Sequence, residues 1–349
     1  MGAPIKFVEE WDSKKYDLII DVRSPGEFEE DHIPGAVSLP VLSDEERVIV
    51  GTRHKNLSPF EARKLGAAFV SKNIGAHIQN TLNKEGRNFT PLIYCWRGGQ
   101  RSKSFALVCS EIGWQTFILT GGYKTYRQSV ISKIEELVLG FSFIVIAGRT
   151  GTRKTDILSG LGNRGAQILD LENLAAHRGS LLGRLEKRIQ PSQKMFETLI
   201  MDSLRLFNSK KPIYLESESQ KIGQRQIPKP LWRLIKVSPQ ITIKAPRRYR
   251  ASYLSNMYKH LTRDSASLKI LIEKIPGRHG SNRTEHWCSL IKGKSWEELS
   301  FDLLKFHYDP AYDRSLKNND RTTIFEYDHS DTSDNVLNET IDDIFSKNE

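Results

Sequence analysis

Cysteine is scarce in this chain. Its 349 residues include three, Cys95, Cys109 and Cys288. None forms a Cys-x-x-Cys pair, so neither a zinc cluster nor a disulfide framework is expected. No run of about 18 apolar residues occurs, so no membrane span is expected. The opening residues MGAPIKFVEEW lack the apolar core of a signal peptide. Position 6 is Lys6, not the Ser or Thr of a myristoylation site. A cytoplasmic location with no membrane partner is the expectation. No internal repeat is present. The apolar fraction of 38% is that of a globular protein, not a disordered one. At about 150 residues per domain, the length suggests two domains.

Negative charge is nearly missing from one segment. Residues 221–294 hold 17 Lys/Arg against 3 Asp/Glu, a net of +14. Residues 295–349 hold 5 against 14, a net of −9, and residues 1–140 hold 18 against 17. The overall charge of +10 is therefore local, followed by an acidic tail. Such a block is the footprint of a polyanion partner. The competing reading is a solvated basic face that pairs with the acidic tail. Within Leu231–Arg263 the cations are interleaved with Trp232, Tyr249, Tyr253 and Tyr258. Cations track phosphates and aromatic faces stack on splayed bases. Arg247, Arg248 and Arg250 are the leading RNA-contact candidates. Alternatively, Arg247 or Arg250 acts on a diphosphate, and the aromatic residues at helical spacing form a core.

Strands and helices alternate along the rest. DLIIDVRS (Asp17–Ser24), PLIYC and WQTFIL read as short buried strands. Ser58–Ile74 reads as a helix with Ser58 as N-cap, Pro59 at the first position and Glu61 three residues on. SKSFALVCSEIG reads as a helix ending at Gly113. Near Ser132–Gly140 the pattern restarts with the apolar strand FSFIVIAG (Phe141–Gly148). PIYLE (Pro212–Glu216) is a further strand, and beyond Gln220 the pattern is mainly helical. The last twenty or so residues are expected to fray. The fold class is α/β, with parallel sheets covered by helices. The domains expected are 1–135 and 136–349, the second with a basic helical extension.

The stretch IYCWRGGQRSKSFALV (Ile93–Val108) places a thiol at the end of a strand among cations. In α/β sheets ligands bind beyond the carboxyl ends of strands. Gly98 and Gly99 permit a tight curl that aims backbone N–H groups at Cys95. The next helix presents its positive end near Ser102, and Arg97 and Arg101 add full charges. All of this favours thiolate over thiol and predicts a lowered Cys95 pKa. Cys95 is thus the candidate nucleophile, and Arg97, Gly98, Gly99, Arg101 and Ser102 the anion-binding set. Cys109, inside its helix, reads as structural.

GRTGTRKT (Gly148–Thr155) follows a strand and precedes a helix, the context a Walker A loop requires. Gly148, Thr150, Gly151, Lys154 and Thr155 are the candidate phosphate binders. Arg153 replaces the glycine before the lysine. If that position needs positive φ, the side chain costs ~1–2 kcal/mol, about tenfold in affinity. Arg153 then either adds charge to a diphosphate or occludes the site. ATP is the generic ligand of such a loop, and Thr155 can reach a magnesium ion. Asp170 and Glu172 follow one strand, ILDL, and Glu216 and Glu218 end another. They are candidate metal ligands or acid/base groups, or else ordinary charged caps.

DVRSPGEFEEDHIPGAVSLP followed by the cysteine loop resembles a rhodanese domain, with Asp21 and Arg23 in its DxR turn and His32–Ala36 as its HIPGA segment. The version CWRGGxRS is narrower. With SPFEARKLGA, GGYKTYR, LDLENLAAHRGSLLG, QPSQKMFE, ESESQKIG and HYDPAYDRS, the chain resembles the bacterial tRNA 2-selenouridine synthases over roughly residues 5–315. The resemblance implies an enzyme that replaces the sulfur of 2-thiouridine, at the first anticodon position of tRNA, with selenium from selenophosphate. It also implies S-geranylation with geranyl diphosphate, the S-geranyl group leaving. Cys95 would then be the nucleophile or carry the chalcogen as a persulfide or perselenide. The family loop usually reads GxTGxGKT, so Arg153 departs from it. His307 and Tyr308 match the family pattern without an evident physical role. Two rivals stand beside this reading: a plain persulfide sulfurtransferase, and a tRNA-binding protein with a decayed phosphate loop. Oligomeric state and metal requirement stay open.

Overall fold

The computed structural model describes residues 2–179, 188–259, 265–273, 275, 280–316, 320–329 and 333–347. The end of the LDLENLAAHRGSLLG segment and residues 260–263 of the basic segment lie outside them. The chain divides into two compact units, Met1–Lys133 with Pro191–Asp202, and Ile134–Gln190 with Ser203–Glu349.

The first unit is built on five parallel strands, β1 (Lys6–Val8), β2 (Leu18–Asp21), β3 (Val37–Ser38), β4 (Pro91–Tyr94) and β5 (Phe117–Leu119). Their order is β1-β5-β4-β2-β3. β4 is the middle strand and all four of its residues are buried. Strands covered on both faces read as continuous apolar runs, which is why PLIY shows no alternation. The helices are α1 (Pro25–Glu30), α2 (Asp44–Asn56), α3 (Pro59–His77), α4 (Gln100–Ile112) and α5 (Gly122–Leu139). At α3 the Ser58 hydroxyl accepts the Glu61 N–H at 3.1 Å and Pro59 opens the first turn. Ile20, Ile93, Phe105, Cys109 and Ile118 share the core. Cys109 is structural here, with burial pushing its thiol up to about 12.

The expected boundary near residue 135 falls close to the division at Lys133, but Pro191–Asp202 joins the first unit. Lys194 pairs with Glu30 at 2.7 Å, Arg127 donates to the Lys194 carbonyl at 3.1 Å, and Phe196 and Ile200 are buried. Periodicity shows that a helix has an apolar face. It does not show which sheet that face will cover.

The second unit has its own parallel sheet of β6 (Phe143–Ala147), β7 (Gln167–Ile168), β8 (Ile213–Glu216), β11 (Gln240–Lys244) and β12 (Thr323–Asp328), ordered β12-β11-β6-β8-β7. β9 (Lys221–Ile222) and β10 (Arg225–Gln226) pair separately as an antiparallel hairpin. Central β6 is buried throughout and leads into α6 (Lys154–Asn163). The basic region is helical over Arg247–Met257, Ser265–Glu273 and Ser281–Lys292. The tail, expected to fray, instead forms a helix over Asp334–Lys347. Leu337, Ile341 and Ile344 of that helix pack with Ile157 and Leu161. Those three residues recur at i, i+4 and i+7, one helical face, and their burial holds the polar segment in place. Among the described residues no helix is long and apolar enough to cross a membrane.

Candidate active sites

Cys95 sits one residue beyond β4, at the carboxyl end of the first sheet's middle strand. Its Sγ accepts the Gly99 N–H at 3.2 Å and lies 3.2 Å from the Ser102 hydroxyl. Gly98 has a φ of +64°, and a Cβ there would stand 2.9 Å from the Leu119 carbonyl oxygen. Only glycine lets the loop curl this closely against the end of β5. Cys95 is 3% exposed, held at the start of α4 where unpaired backbone N–H groups point outward. Arg97 is exposed and pairs with no described carboxylate. Arg101 donates to Glu27 at 2.8 Å and is partly neutralised there. The Asp21–Arg23 pair is buried and bidentate, and Arg23 also donates to the Asp31 carbonyl at 2.6 Å. Its guanidinium lies 3.9 Å from the Tyr123 ring centroid, so this motif ties the end of β2 in place.

In the phosphate loop the sequence's anomaly has a concrete geometry. Arg153 adopts φ +62°, the left-handed region, as N-cap of α6. Its guanidinium donates to Asp156 at 2.7 Å and pairs with Asp334 at 2.9 Å. It also lies 5.4 Å from the Tyr253 ring centroid. Lys154 Nζ donates to the Gly148 carbonyl at 2.9 Å. Gly151 takes φ +86°, and a Cβ there would meet the Arg250 backbone oxygen at 3.1 Å.

The loop opens on a cavity of about 520 Å³. Its lining falls into three chemical sets. Gly148, Thr150, Gly151, Lys154 and Thr155 supply backbone donors, a hydroxyl and a cation. Glu172, Glu216 and Glu218 supply carboxylates. Tyr253, Leu254, Met257, Tyr258, Tyr308 and Tyr312 supply aromatic and apolar surface. His307 and Tyr308, which had no role on sequence grounds, are both part of this lining, and so is Arg178. Arg153 is not among the lining residues, because its side chain turns to Asp156 and Asp334.

Ligand oxygens of the three carboxylates lie within 4.8 Å of one another. Burial pushes all three above the usual carboxylate range. Repulsion from Glu218 and Glu216 raises Glu172 further, and Lys154 opposes the shift in each. Thr155 hydrogen-bonds Glu216, while Glu216 Oε1 is buried without a partner. A cluster of oxygen donors with an unsatisfied buried oxygen fits a hard divalent cation such as magnesium. Asp170, expected in this role, instead caps the turn Leu171–Leu174 by accepting the Asn173 N–H at 2.8 Å. Of the two carboxylates read on this segment, Glu172 is the one that joins the cluster. The spacing in LDLENL does not distinguish the two, because one turn decides which carboxylate faces the cavity.

The RNA-contact candidates separate. Arg250 is 2% exposed, bidentate on Asp309, and donates to the Thr150 carbonyl at 3.1 Å. It is corrected from an RNA contact to a brace for the phosphate loop, since a buried and fully paired guanidinium presents nothing to a phosphate. Arg247 also reaches Asp309, at 3.1 Å. Arg248 is exposed, pairing with Glu298 at 2.8 Å over the Phe301 ring. With Lys244–Glu326, these pairs set part of the basic excess against the acidic C-terminal region. Lys229, Arg233 and Lys292 remain exposed, with no ion pair to a described residue.

Comparison with known proteins finds a family model for each of two stretches of the chain. Residues 5–129 match the rhodanese-like domain and residues 141–274 match the AAA domain of tRNA 2-selenouridine synthase. Among curated relatives, the tRNA 2-selenouridine synthase of Sulfurovum sp. is 31% identical, covering 88% of this chain and 91% of that protein. That of Bdellovibrio bacteriovorus is 36% identical, covering 88% and 91%. That of Nitrosomonas europaea is 36% identical over 69% of this chain and 63% of its own length. With relatives at 31% and 36% identity over 88% of the chain, and both family models matched along it, the protein belongs to the tRNA 2-selenouridine synthase family.

Proposed function

We propose that the protein modifies tRNA at the wobble uridine, replacing the sulfur of 2-thiouridine with selenium in two steps, one at each loop. The observation that carries this reading is the composition of the 520 Å³ cavity, where a phosphate loop shares one lining with an aromatic and apolar surface. A nucleoside triphosphate would use that surface for its base alone. A prenyl diphosphate needs both.

In the first step the 2-thio sulfur attacks C1 of geranyl diphosphate. The C1–O bond breaks, diphosphate leaves, and the N3 proton of the base is released. Backbone donors of Gly148–Thr155 and the Lys154 cation receive the diphosphate. Tyr253, Tyr258, Tyr308 and Tyr312 offer π faces to the positive charge that develops on the allylic carbon. Thr155, Glu172, Glu216 and Glu218 would hold magnesium, which would draw charge from the departing oxygen. The turn of Arg153 away from this lining supports a working loop over a decayed one.

In the second step Cys95 attacks the phosphorus of selenophosphate, breaking the P–Se bond and freeing selenide with no change of oxidation state. A perselenide on Cys95 would require an added oxidant. Selenide forms the C2–Se bond, the C2–S bond breaks, and geranylthiol leaves. N3 recovers its proton, and water hydrolyses the thiophosphate on Cys95 to phosphate. Arg97 and the N–H groups beginning α4 bind the anion. Arg248, Lys229, Arg233 and Lys292 hold tRNA phosphates near the anticodon. The reading places the reaction in the cytoplasm.

Nucleoside analysis of tRNA from cells lacking the gene, complemented with parental, Cys95→Ser or Lys154→Ala protein, tests this. Parental protein should restore 2-selenouridine, Cys95→Ser should accumulate the S-geranyl nucleoside, and Lys154→Ala should accumulate 2-thiouridine. Restoration of 2-selenouridine by both variants would defeat the proposal.

A further inference from the structure

The first unit contains a second cavity, of about 830 Å³, between α2, α3 and α4. The volume lies within the roughly 300–1,000 Å³ of small-molecule sites. Leu42, Val50, Val70 and Leu107 give it apolar walls, and the small residues of α3, Ala62, Gly66 and Ala67, leave the space open. Its charged lining is of one sign. Arg63, Arg101 and Lys103 contribute to it and no Asp or Glu does. Neither Arg63 nor Lys103 makes an ion pair with a described residue. An apolar groove with a cationic margin suits an anion that carries an apolar chain.

Its position narrows the occupant. Gln100 and Arg101 line the groove, and the next residue, Ser102, lies 3.2 Å from Cys95 Sγ. The groove therefore begins at the same end of α4 as the thiol loop, along the helix face opposite Ser102. We infer that this groove receives the geranyl chain of the S-geranylated wobble nucleotide while its C2 faces the Cys95 loop, with Arg63 and Lys103 on the flanking RNA phosphates. The inference rests on the two-step reading and adds a site to it. A C10 thiol that must leave at the rhodanese-like loop needs apolar shelter there, and the phosphate-loop cavity belongs to the other step.

The test is binding, so it does not depend on turnover. The full chain, without selenophosphate, is titrated with anticodon stem-loops carrying either S-geranyl- or S-methyl-2-thiouridine. The parental protein should prefer the geranyl form by about tenfold or more, equivalent to ~1.4 kcal/mol. Ala67→Trp, which fills the groove, and Leu107→Asp, which makes its wall polar, should bring the preference down to about twofold, a few tenths of a kcal/mol. Leu107 is 55% exposed, so that substitution leaves the core intact. Both variants should keep the parental rate of geranylation from geranyl diphosphate.

An undiminished preference in both variants overturns the assignment, as does a parental protein with no preference. Loss of the preference in Met257→Lys instead would move the chain to the phosphate-loop cavity and also overturn it. So would sedimentation with phosphatidylglycerol vesicles that the groove variants abolish while the RNA preference survives, because the groove would then belong to lipid. A preference that behaves as expected, in a protein that makes no 2-selenouridine, supports the groove and refutes the two-step chemistry.

Discussion

Arg250 meets Asp309 through two hydrogen bonds of 2.9 Å, and the same guanidinium donates to the Thr150 carbonyl in the phosphate loop. A residue of the basic segment and one of the acidic region thus form a buried pair that braces a binding loop. Burial alone would raise the Asp309 carboxyl, but the bonds from Arg250 and Arg247 outweigh it and hold the group below its usual range. Asp309→Ala leaves Arg250 buried and unpaired, which should cost about 3–5 kcal/mol. Urea unfolding measures it, and a loss under ~1 kcal/mol would show that the pair is not the brace. Because the folded pKa is depressed, the pair's contribution is present above the ordinary aspartate pKa and fades as pH falls through the folded value.

Arg153→Gly and Arg153→Ala should differ. Both lose the contacts to Asp156 and Asp334, pairs worth ~0–1 kcal/mol at partly exposed positions. Only glycine relieves the left-handed backbone, by ~1–2 kcal/mol. The glycine variant should therefore be near parental stability and the alanine variant less stable by about that difference. Equal melting temperatures would mean that the backbone relaxes elsewhere. Diphosphate affinity should change by less than about threefold in either variant, under ~0.7 kcal/mol, since the side chain does not line the cavity. A tenfold weakening would place Arg153 on the ligand.

At neutral pH a limiting alkylating reagent should label Cys95 ahead of the other two thiols. Burial raises Cys288 as well as Cys109, and Cys109 is fully enclosed. Ser102→Ala removes the hydroxyl 3.2 Å from Sγ and should slow labelling about threefold or more, the effect of losing roughly one hydrogen bond of ~1 kcal/mol. Peptide mapping after brief exposure gives the answer. Preferential modification of Cys288, or an unchanged rate in the Ser102→Ala variant, would remove the loop's special status.

The glutamate cluster should make stability fall as pH rises. Burial and mutual repulsion raise these carboxyls in the folded protein, so above the usual 4.5 the unfolded chain gives up protons that the native state retains. The native state then binds more protons, and the slope of stability against pH is negative. Glu172→Gln should flatten that slope and raise the melting temperature at pH 8–9, a range chosen to lie above the roughly 4.5 of a free glutamate. Magnesium should do the same for the parental protein and have less effect on the variant. Parallel melting curves across pH would show that the cluster is not proton-linked.

Local chemistry was legible in the sequence where one short segment contained the whole cause. Ser58 and Pro59 start α3 as read, Gly113 ends α4, and PLIY and FIVIA are strands because unbroken apolar runs suit a sheet covered on both faces. The thiol loop was readable for the same reason, since Cys95, Gly99 and Ser102 lie within eight residues and meet through one turn. The phosphate loop's odd residue was visible too, but only the structure decided that Arg153 takes the positive φ that makes it costly.

What the sequence determined, then, is the order of strands and helices, the two loops at strand ends, and a one-sided charge distribution. Each follows from residues close in the chain, whose mutual geometry the backbone fixes. Tertiary structure decided the rest. It chose Glu172 over Asp170 for the cavity, buried Arg250 against a carboxylate 59 positions away, and folded the polar tail onto β6's layer through Leu337 and Ile341. It also placed Pro191–Asp202 with the first sheet and gathered tyrosines from two distant segments onto one wall. Charge sign and apolarity are properties of a residue, but pairing and burial belong to its neighbours, and those are assigned only when the chain closes on itself.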